Sequence, residues 1–325
     1  MRRVWPLAAL LLTAGVAWPT LAAAGDGAPE FVYDVTRRAA LRDIPGTAIT
    51  FPARAGRAAR LVAADLSTRP VTALAAGDNV GNTFAVSCAG PKLDRSAEQG
   101  AYWATNLVPP GEKGVEPDLR WLFVAPADGE FTCRLRISSY STIITGDRRV
   151  TMRIPAGARL TRLAAPEASR WTLPAADATR VAGGESARVL RAVYPLPDGD
   201  AAVRVGQDAA LSTCKANSSI PGCAGGSADV DGSVVDTSIE VRPRAADGAD
   251  CGADLAPPEH RISTAKHHLS ATNTVDLPRE RLRGCTSVEV ALLVKHLSGN
   301  PVLIHAGTSA GNAATRGFAT LLPTD

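Results

Sequence analysis

The chain is poor in aromatic residues and in long apolar segments. Aromatic residues make up only 5% of the 325 residues, which argues against a carbohydrate-binding surface built from exposed rings. Beyond the first 24 residues, no segment approaches the roughly 20 apolar residues of a membrane-spanning helix without a charge, Pro or Gly. We therefore expect no membrane span. The absence of any C-x-x-C pair also argues against a structural zinc site.

An excess of charge of one sign is missing as well. The formal net charge is +3, and Arg2 and Arg3 of the leader account for two of these charges, so +1 is left without them. Nucleic acids and anionic membranes attract proteins with strongly basic surfaces. We therefore expect neither as a partner.

The first 24 residues predict a secretory signal peptide. Arg2 and Arg3 precede an apolar run over residues 4–16, and three alanines at 22–24 form a small-residue cleavage site. We expect a secreted, extracellular protein. No Cys follows the cleavage site to carry a lipid and no apolar tail ends the chain, so no anchor is expected.

Six cysteines lie in the region that follows this leader, and in an exported protein they predict a framework of disulfides. Six cysteines allow 15 pairings. We favour neighbours in sequence, because that pairing respects the domain boundary proposed below. The predicted disulfides are Cys88–Cys133, Cys214–Cys223 and Cys251–Cys285.

Period-two alternation of apolar and polar residues is the clearest structural signal. It runs over residues 83–88, 131–138, 150–154 and 235–242, as half-buried antiparallel strands require. Gly-, Pro- and Asp-rich turns separate these runs. We predict an all-β chain with tandem antiparallel β-sandwich domains, immunoglobulin-like or jelly-roll-like, stabilised by the disulfides. Short helices remain open at residues 36–43 and 278–283.

A domain boundary is predicted near residue 165, where alternation gives way to an Ala-, Pro- and polar-rich stretch. The predicted organisation is a signal peptide at 1–24, an N-terminal β-sandwich domain at 25–165 and a C-terminal β-sandwich domain at 166–325.

Residues 307–311 match G-x-S-x-G, the nucleophile elbow of α/β-hydrolases. In that fold the acid and the His follow the Ser, yet no His follows Ser309. Chain order therefore excludes this assignment, and we assign no catalytic residue. Residues 229–233, Asp-Val-Asp-Gly-Ser, resemble the start of a calcium loop but lack its later ligands. We interpret them as a turn.

All five histidines lie in the last 66 residues. If residues 288–297 and 302–306 form a hairpin, His296 and His305 are diagonal neighbours on one face and able to share a metal ion. His260, His267 or His268 would have to supply a third ligand. The plainer interpretation is that both histidines end a core face, and we predict no bound metal and no cofactor.

These observations favour a non-catalytic secreted protein that binds a cell-envelope component, an extracellular polymer or another protein. Two alternatives stay open: a secreted glycan or ester hydrolase whose catalytic residues converge only in the fold, and a metal-binding extracellular protein that uses the C-terminal histidines.

Overall fold

Antiparallel strands dominate the computed structural model of the chain. The structure describes residues 27–35, 40–75, 80–93, 100–108, 114–141, 149–164, 170–172, 178–196, 202–230, 232–251, 261–265, 268–305 and 315–322. The predicted all-β fold class is confirmed. Among these residues, no helix is long and apolar enough to cross a membrane.

Eleven strands come from residues 27–164, which we call the N-terminal half. They are β1 (Phe31–Asp34), β2 (Arg42–Asp43), β3 (Ile49–Ala53), β4 (Ala58–Ala64), β5 (Arg69–Pro70), β6 (Val80–Ala89), β7 (Gly100–Val108), β8 (Arg120–Val124), β9 (Gly129–Tyr140), β10 (Thr151–Ile154) and β11 (Arg159–Ala164).

Ten strands and a 3-10 helix come from residues 170–322, the C-terminal half. They are β12 (Arg170–Thr172), β13 (Thr179–Val181), β14 (Ser186–Pro195), β15 (Val203–Thr213), β16 (Ser233–Arg244), β17 (Arg261–Ala265), β18 (His268–Leu277), the 3-10 helix (Arg279–Leu282), β19 (Ser287–Gly299), β20 (Val302–Ile304) and β21 (Arg316–Leu321).

The described strands form four sheets. An eleven-stranded sheet runs through both halves in the order β12-β21-β15-β18-β7-β6-β9-β2, with β3 paired to β9 and β20 paired to β13 and β15. A four-stranded sheet has the order β14-β19-β16-β17, and two three-stranded sheets have the orders β1-β10-β5 and β11-β4-β8. The halves join where β18 pairs with β7 through Leu269 and Thr105.

Each half has its own apolar core. In the N-terminal half, Phe84, Phe131 and Leu135 of the eleven-stranded sheet belong to the same buried cluster as Leu61 and Met152 of the three-stranded sheets. In the C-terminal half, one buried cluster includes Leu211 of the eleven-stranded sheet and Leu292 of the four-stranded sheet. Alternation produces this arrangement, because every second side chain of each strand points to the facing sheet.

The structure contains all three predicted disulfides, Cys88–Cys133, Cys214–Cys223 and Cys251–Cys285. Cys88 and Cys133 are directly opposite each other on β6 and β9. The bridge therefore joins neighbouring strands of one sheet, whereas the immunoglobulin disulfide joins two sheets.

Two local possibilities raised by the sequence are not found. The short helix left open at residues 36–43 is absent at its described end, because Arg42 and Asp43 pair with Ile137 and Arg136 of β9. The hairpin predicted between residues 288–297 and 302–306 does not form. The other short helix left open, at residues 278–283, is present as the 3-10 helix (Arg279–Leu282). The domain boundary near residue 165 falls outside the described residues and stays a prediction.

A crossover between sheets replaces that hairpin. β19 belongs to the four-stranded sheet, whereas Val302 of β20 pairs with Val181 and Thr213 in the eleven-stranded sheet. Asn300 stabilises the crossover: its side chain accepts a hydrogen bond from the Ser227 amide (2.8 Å) and donates one to the Val230 carbonyl (2.8 Å). These long-range contacts are invisible to a turn prediction from four local residues.

A buried ionic network also connects the halves. The Asp208 carboxylate lies between two guanidinium groups, with 2.6 Å from Oδ1 to Arg120 Nη2 and 3.5 Å from Oδ2 to Arg316 Nε. Arg120 comes from the N-terminal half and also donates to the Asn273 carbonyl (2.7 Å). Its guanidinium lies 5.2 Å from the centre of the Phe318 ring. All three ionised side chains are less than 10% exposed.

Candidate functional site

The outer face of the four-stranded sheet carries a row of arginines. Inner residues of β16 such as Val235 and Ile239 are buried in the core, so the alternate residues Glu240 and Arg242 point outward. The neighbouring strands place Arg191 beside Ala291 and Glu240 in register, and Val193 beside Glu289 and Arg242. The small side chain of Ala291 therefore lies between the long charged side chains of Arg191 and Glu240.

Ala291 forms the floor of a trough between these side chains. Because its methyl group is much shorter than the flanking arginine and glutamate side chains, a depression of about 190 Å³ opens along the middle of the sheet. We call it the arginine trough. Its lining residues are Arg188, Arg191, Glu240, Arg242, Glu289, Val290 and Ala291.

Two ion pairs hold the glutamates of the trough. Arg188 donates to both carboxylate oxygens of Glu240, at 2.5 and 2.8 Å, and Arg244 donates to Glu289 at 2.8 Å. The hydrogen bonds from Arg188 lower the pKa of Glu240, outweighing partial burial, and those from Arg244 lower the pKa of Glu289 in the same way. Both glutamates are therefore ionised at neutral pH.

Arg191 and Arg242 are placed differently. In the part of the chain that the structure describes, neither forms an ion pair with a carboxylate, although both lie close enough to Glu240 and Glu289 to lower the pKa of each. Guanidinium groups present paired N–H donors that fit carboxylate, sulfate and phosphate groups. The trough can therefore bind an anion through two arginines and accept hydrogen bonds from hydroxyl groups through two glutamates.

A second depression lies beside the edge strand β1. It is wide and open, about 820 Å³, and its charged residues are of both signs, with Arg149 Nη1 3.4 Å from Asp34 Oδ2. Arg42 also lines it. Among its described lining residues, the arginines are Arg42 and Arg149.

The structure separates His296 and His305, the two histidines considered as candidate metal ligands. His296 lies on the core face of β19, 3% exposed, with Nε2 2.9 Å from the Asn300 carbonyl oxygen. His305 follows β20 in the other sheet, so the predicted diagonal contact between His296 and His305 is absent. Instead, His305 Nε2 and His268 Nδ1 both contact the Ser212 hydroxyl group. The sequence singled out His268 only as a third ligand, and nothing in it indicated Ser212.

Other sequence motifs contribute less. The G-x-S-x-G residues 307–311 and His260 and His267 lie outside the described residues, as does Asp231 of the calcium-like fragment. Ser233 of that fragment is buried and donates to the Asn300 carbonyl (2.7 Å), so its hydroxyl faces inward. Trp121 packs against the N-terminal core, with its ring centre 5.4 Å from that of Phe123.

Comparisons with known proteins add no functional information. No family model and no curated protein matches the chain. Among solved structures, a chain from the structure of the infectious bursal disease virus Gx strain is 11% identical in sequence. Its TM-score is 0.25, and the match covers 90% of this chain and 74% of that one. The tandem CBM22-1-CBM22-2 domain of Paenibacillus barcinonensis Xyn10C is 8% identical, with a TM-score of 0.24 and coverage of 85% and 82%. Likeness this weak carries no argument about function.

Proposed function

We propose that the chain is an exported, non-catalytic protein that binds an anionic polysaccharide of the cell envelope in the arginine trough. The observation that carries the proposal is that Arg191 of β14 and Arg242 of β16 line the trough from opposite sides of β19, Arg191 beside Ala291 and Arg242 beside Glu289. Among the described residues, neither arginine forms an ion pair with a carboxylate. The three disulfides fit an oxidising compartment outside the cytoplasm.

The chemistry of the trough matches an acidic sugar better than a simple anion. A uronate or sulfate group accepts paired hydrogen bonds from Arg191 or Arg242, while ring hydroxyls donate to Glu240 and Glu289. The trough is an exposed surface feature, which suits an extended polymer. The sequence as a whole is nearly neutral, so selectivity comes from this local cluster and not from the general field that attracts nucleic acid.

The electrostatics of the trough also favour binding over catalysis. Glycoside hydrolysis by a carboxyl pair needs one group whose pKa is raised, so that it holds a proton at neutral pH. Hydrogen bonds from Arg188 and Arg244 instead lower the pKa of Glu240 and Glu289. Neither glutamate is suited to act as a general acid. Ser212, which contacts two imidazoles, has no exposed surface and lies out of reach of a substrate.

The test uses oxidised protein without its leader, and polygalacturonate as the probe. We expect native gels containing polygalacturonate to retard the protein, and gels containing neutral dextran not to. Replacing both Arg191 and Arg242 with Ala should abolish the retardation. The matched control replaces Arg69 and Arg149, exposed arginines of the N-terminal half, and removes the same charge.

The control separates this site from the alternatives. Equal loss of retardation in both double variants would show that overall charge, and not the trough, attracts the polymer. Loss in the control alone would point to the depression beside β1, which Arg149 lines. Either result contradicts the proposal, provided that circular dichroism shows both variants folded.

A further inference from the structure

Two imidazoles converge on one hydroxyl group in the C-terminal half. Ser212 of β15 is directly opposite His268 of β18, and its hydroxyl contacts His268 Nδ1. The same oxygen lies 2.6 Å from His305 Nε2, and the two ring centres are 6.1 Å apart. A hydroxyl group has a single hydrogen to donate. When one imidazole accepts that hydrogen, the other imidazole must donate its own N–H to the Ser212 oxygen.

The framework around these side chains is firmly held. The His305 amide donates to the Ala210 carbonyl (2.8 Å), and the Cys214 amide donates to the Pro301 carbonyl (2.8 Å). Ser212 therefore belongs to the paired strands β15 and β18, and the Cys214–Cys223 disulfide begins two residues after it in sequence. Such support keeps ligand atoms in place before an ion arrives, which raises affinity.

Exposure decides which part of the cluster an ion can reach. Ser212 is fully buried, whereas both imidazoles are half-buried and form the rim above it. Both ring nitrogens face the same oxygen atom, so one ion beside that oxygen can bind both imidazoles through metal–nitrogen bonds of about 2.0–2.1 Å.

We propose that His268 Nδ1 and His305 Nε2 bind one late divalent transition-metal ion, with the Ser212 hydroxyl and water as weaker ligands. No third His, Cys, Asp or Glu joins the pair among the described residues. A site with two nitrogen ligands and no carboxylate disfavours Ca²⁺ and Mg²⁺, which prefer oxygen ligands, and favours Cu²⁺ over Zn²⁺ and Ni²⁺.

This site is independent of the proposed polymer binding. It is built on the eleven-stranded sheet, whereas the arginine trough lies on the four-stranded sheet. A failure of one proposal therefore leaves the other intact, and the two are tested with different probes.

The experiment titrates Cu²⁺ into chelator-treated, oxidised full-length mature protein, with isothermal titration calorimetry for affinity and electron paramagnetic resonance for the ligands. We expect one Cu²⁺ per chain and nitrogen hyperfine coupling from two imidazoles. His268→Ala and His305→Ala should each weaken binding by more than the 10- to 100-fold that loss of a supporting outer-shell group causes, and leave coupling from one nitrogen.

Two further variants make the test specific. Ser212→Ala keeps both nitrogens and should retain the two-nitrogen signal. His296→Gln removes a histidine of the same half that is hydrogen-bonded elsewhere, and should bind Cu²⁺ as the unmodified protein does. Absence of Cu²⁺ binding at micromolar concentration, or binding unaffected by both alanine variants, would overturn the proposal and leave the cluster as a hydrogen-bonded structural group.

Discussion

The largest effect on stability is predicted for a change at the buried carboxylate of Asp208. It is the acidic partner of two guanidinium groups, Arg120 and Arg316, one from each half of the chain. Burial by itself lowers the pKa of Arg120, but the charges of Asp208 and Asp118 outweigh it and raise the pKa above the usual value. Both arginines keep their charge, because a guanidinium does not deprotonate in proteins.

The expected magnitude follows from what Asp208→Asn leaves behind. The amide has the same shape but no charge. Arg316 therefore loses the charge of Asp208, and Arg120 keeps only the charge of Asp118, which is 54% exposed and 3.9 Å away, while both guanidinium groups stay less than 10% exposed. Removing one partner of a buried ion pair costs about 3–5 kcal/mol, since the remaining charge stays desolvated. We expect Asp208→Asn to lower the free energy of unfolding by that amount.

Asp276→Asn is the matched control. Asp276 also forms a two-bond pair with an arginine, Arg204, at 2.7 Å for both contacts. Its side chain, however, is 45% exposed. An exposed pair contributes about 0–1 kcal/mol, so Asp276→Asn should change stability little.

Urea unfolding of the oxidised protein, followed by tryptophan fluorescence and circular dichroism, measures both variants. We predict a much lower urea midpoint for Asp208→Asn than for Asp276→Asn. Equal midpoints for the two variants, with both free energies of unfolding within about 1 kcal/mol of that of the unmodified protein, would refute the idea that Asp208 compensates two buried charges.

Three further predictions concern other parts of the chain. Replacing Cys88 and Cys133 with Ala should lower the free energy of unfolding by about 2–5 kcal/mol in urea; no change would contradict a structural role. Gly206→Ala should cost about 1–3 kcal/mol, because a Cβ there would lie 2.4 Å from Phe318 Cζ; an unchanged melting temperature would contradict this packing. The lowered pKa of Glu240 stabilises the fold above its unfolded pKa of about 4.3, and this contribution is lost as the pH falls through the lower folded value. Glu240→Gln should therefore melt with a weaker dependence on pH between about 5 and 3; identical pH profiles would contradict the ion pair.

Local alternation was sufficient to predict some of the strands, and pairing cysteines that are neighbours in sequence predicted the three disulfides. The alternation at residues 131–138 falls within β9, and that at 235–242 falls within β16, because a half-buried strand must place every second side chain in the core. The same pattern correctly assigned His296 to the core face of β19.

Contacts between distant strands could not be predicted in the same way. The turn at residues 298–301 allows either a hairpin or a crossing to the facing sheet, and the choice depends on Val181 and Thr213, the distant partners of Val302. The sequence could not indicate a role for Ser212, because its contacts with His268 and His305 arise only when the fold brings distant strands together. Alternation placed Arg242 on the polar face of its strand, but it did not show that Arg191 lies on the same face of the sheet, on the other side of β19.

Equilibrium binding to immobilised polygalacturonate tests the central claim most directly. We predict that the Arg191→Ala, Arg242→Ala protein binds at least about tenfold more weakly than the unmodified protein, as expected if two exposed charge contacts contribute roughly 1 kcal/mol each. The difference should shrink between ionic strengths of about 0.01 and 0.15 M, where screening strengthens. Equal affinity of the two proteins at the lower ionic strength would contradict polymer binding in the arginine trough.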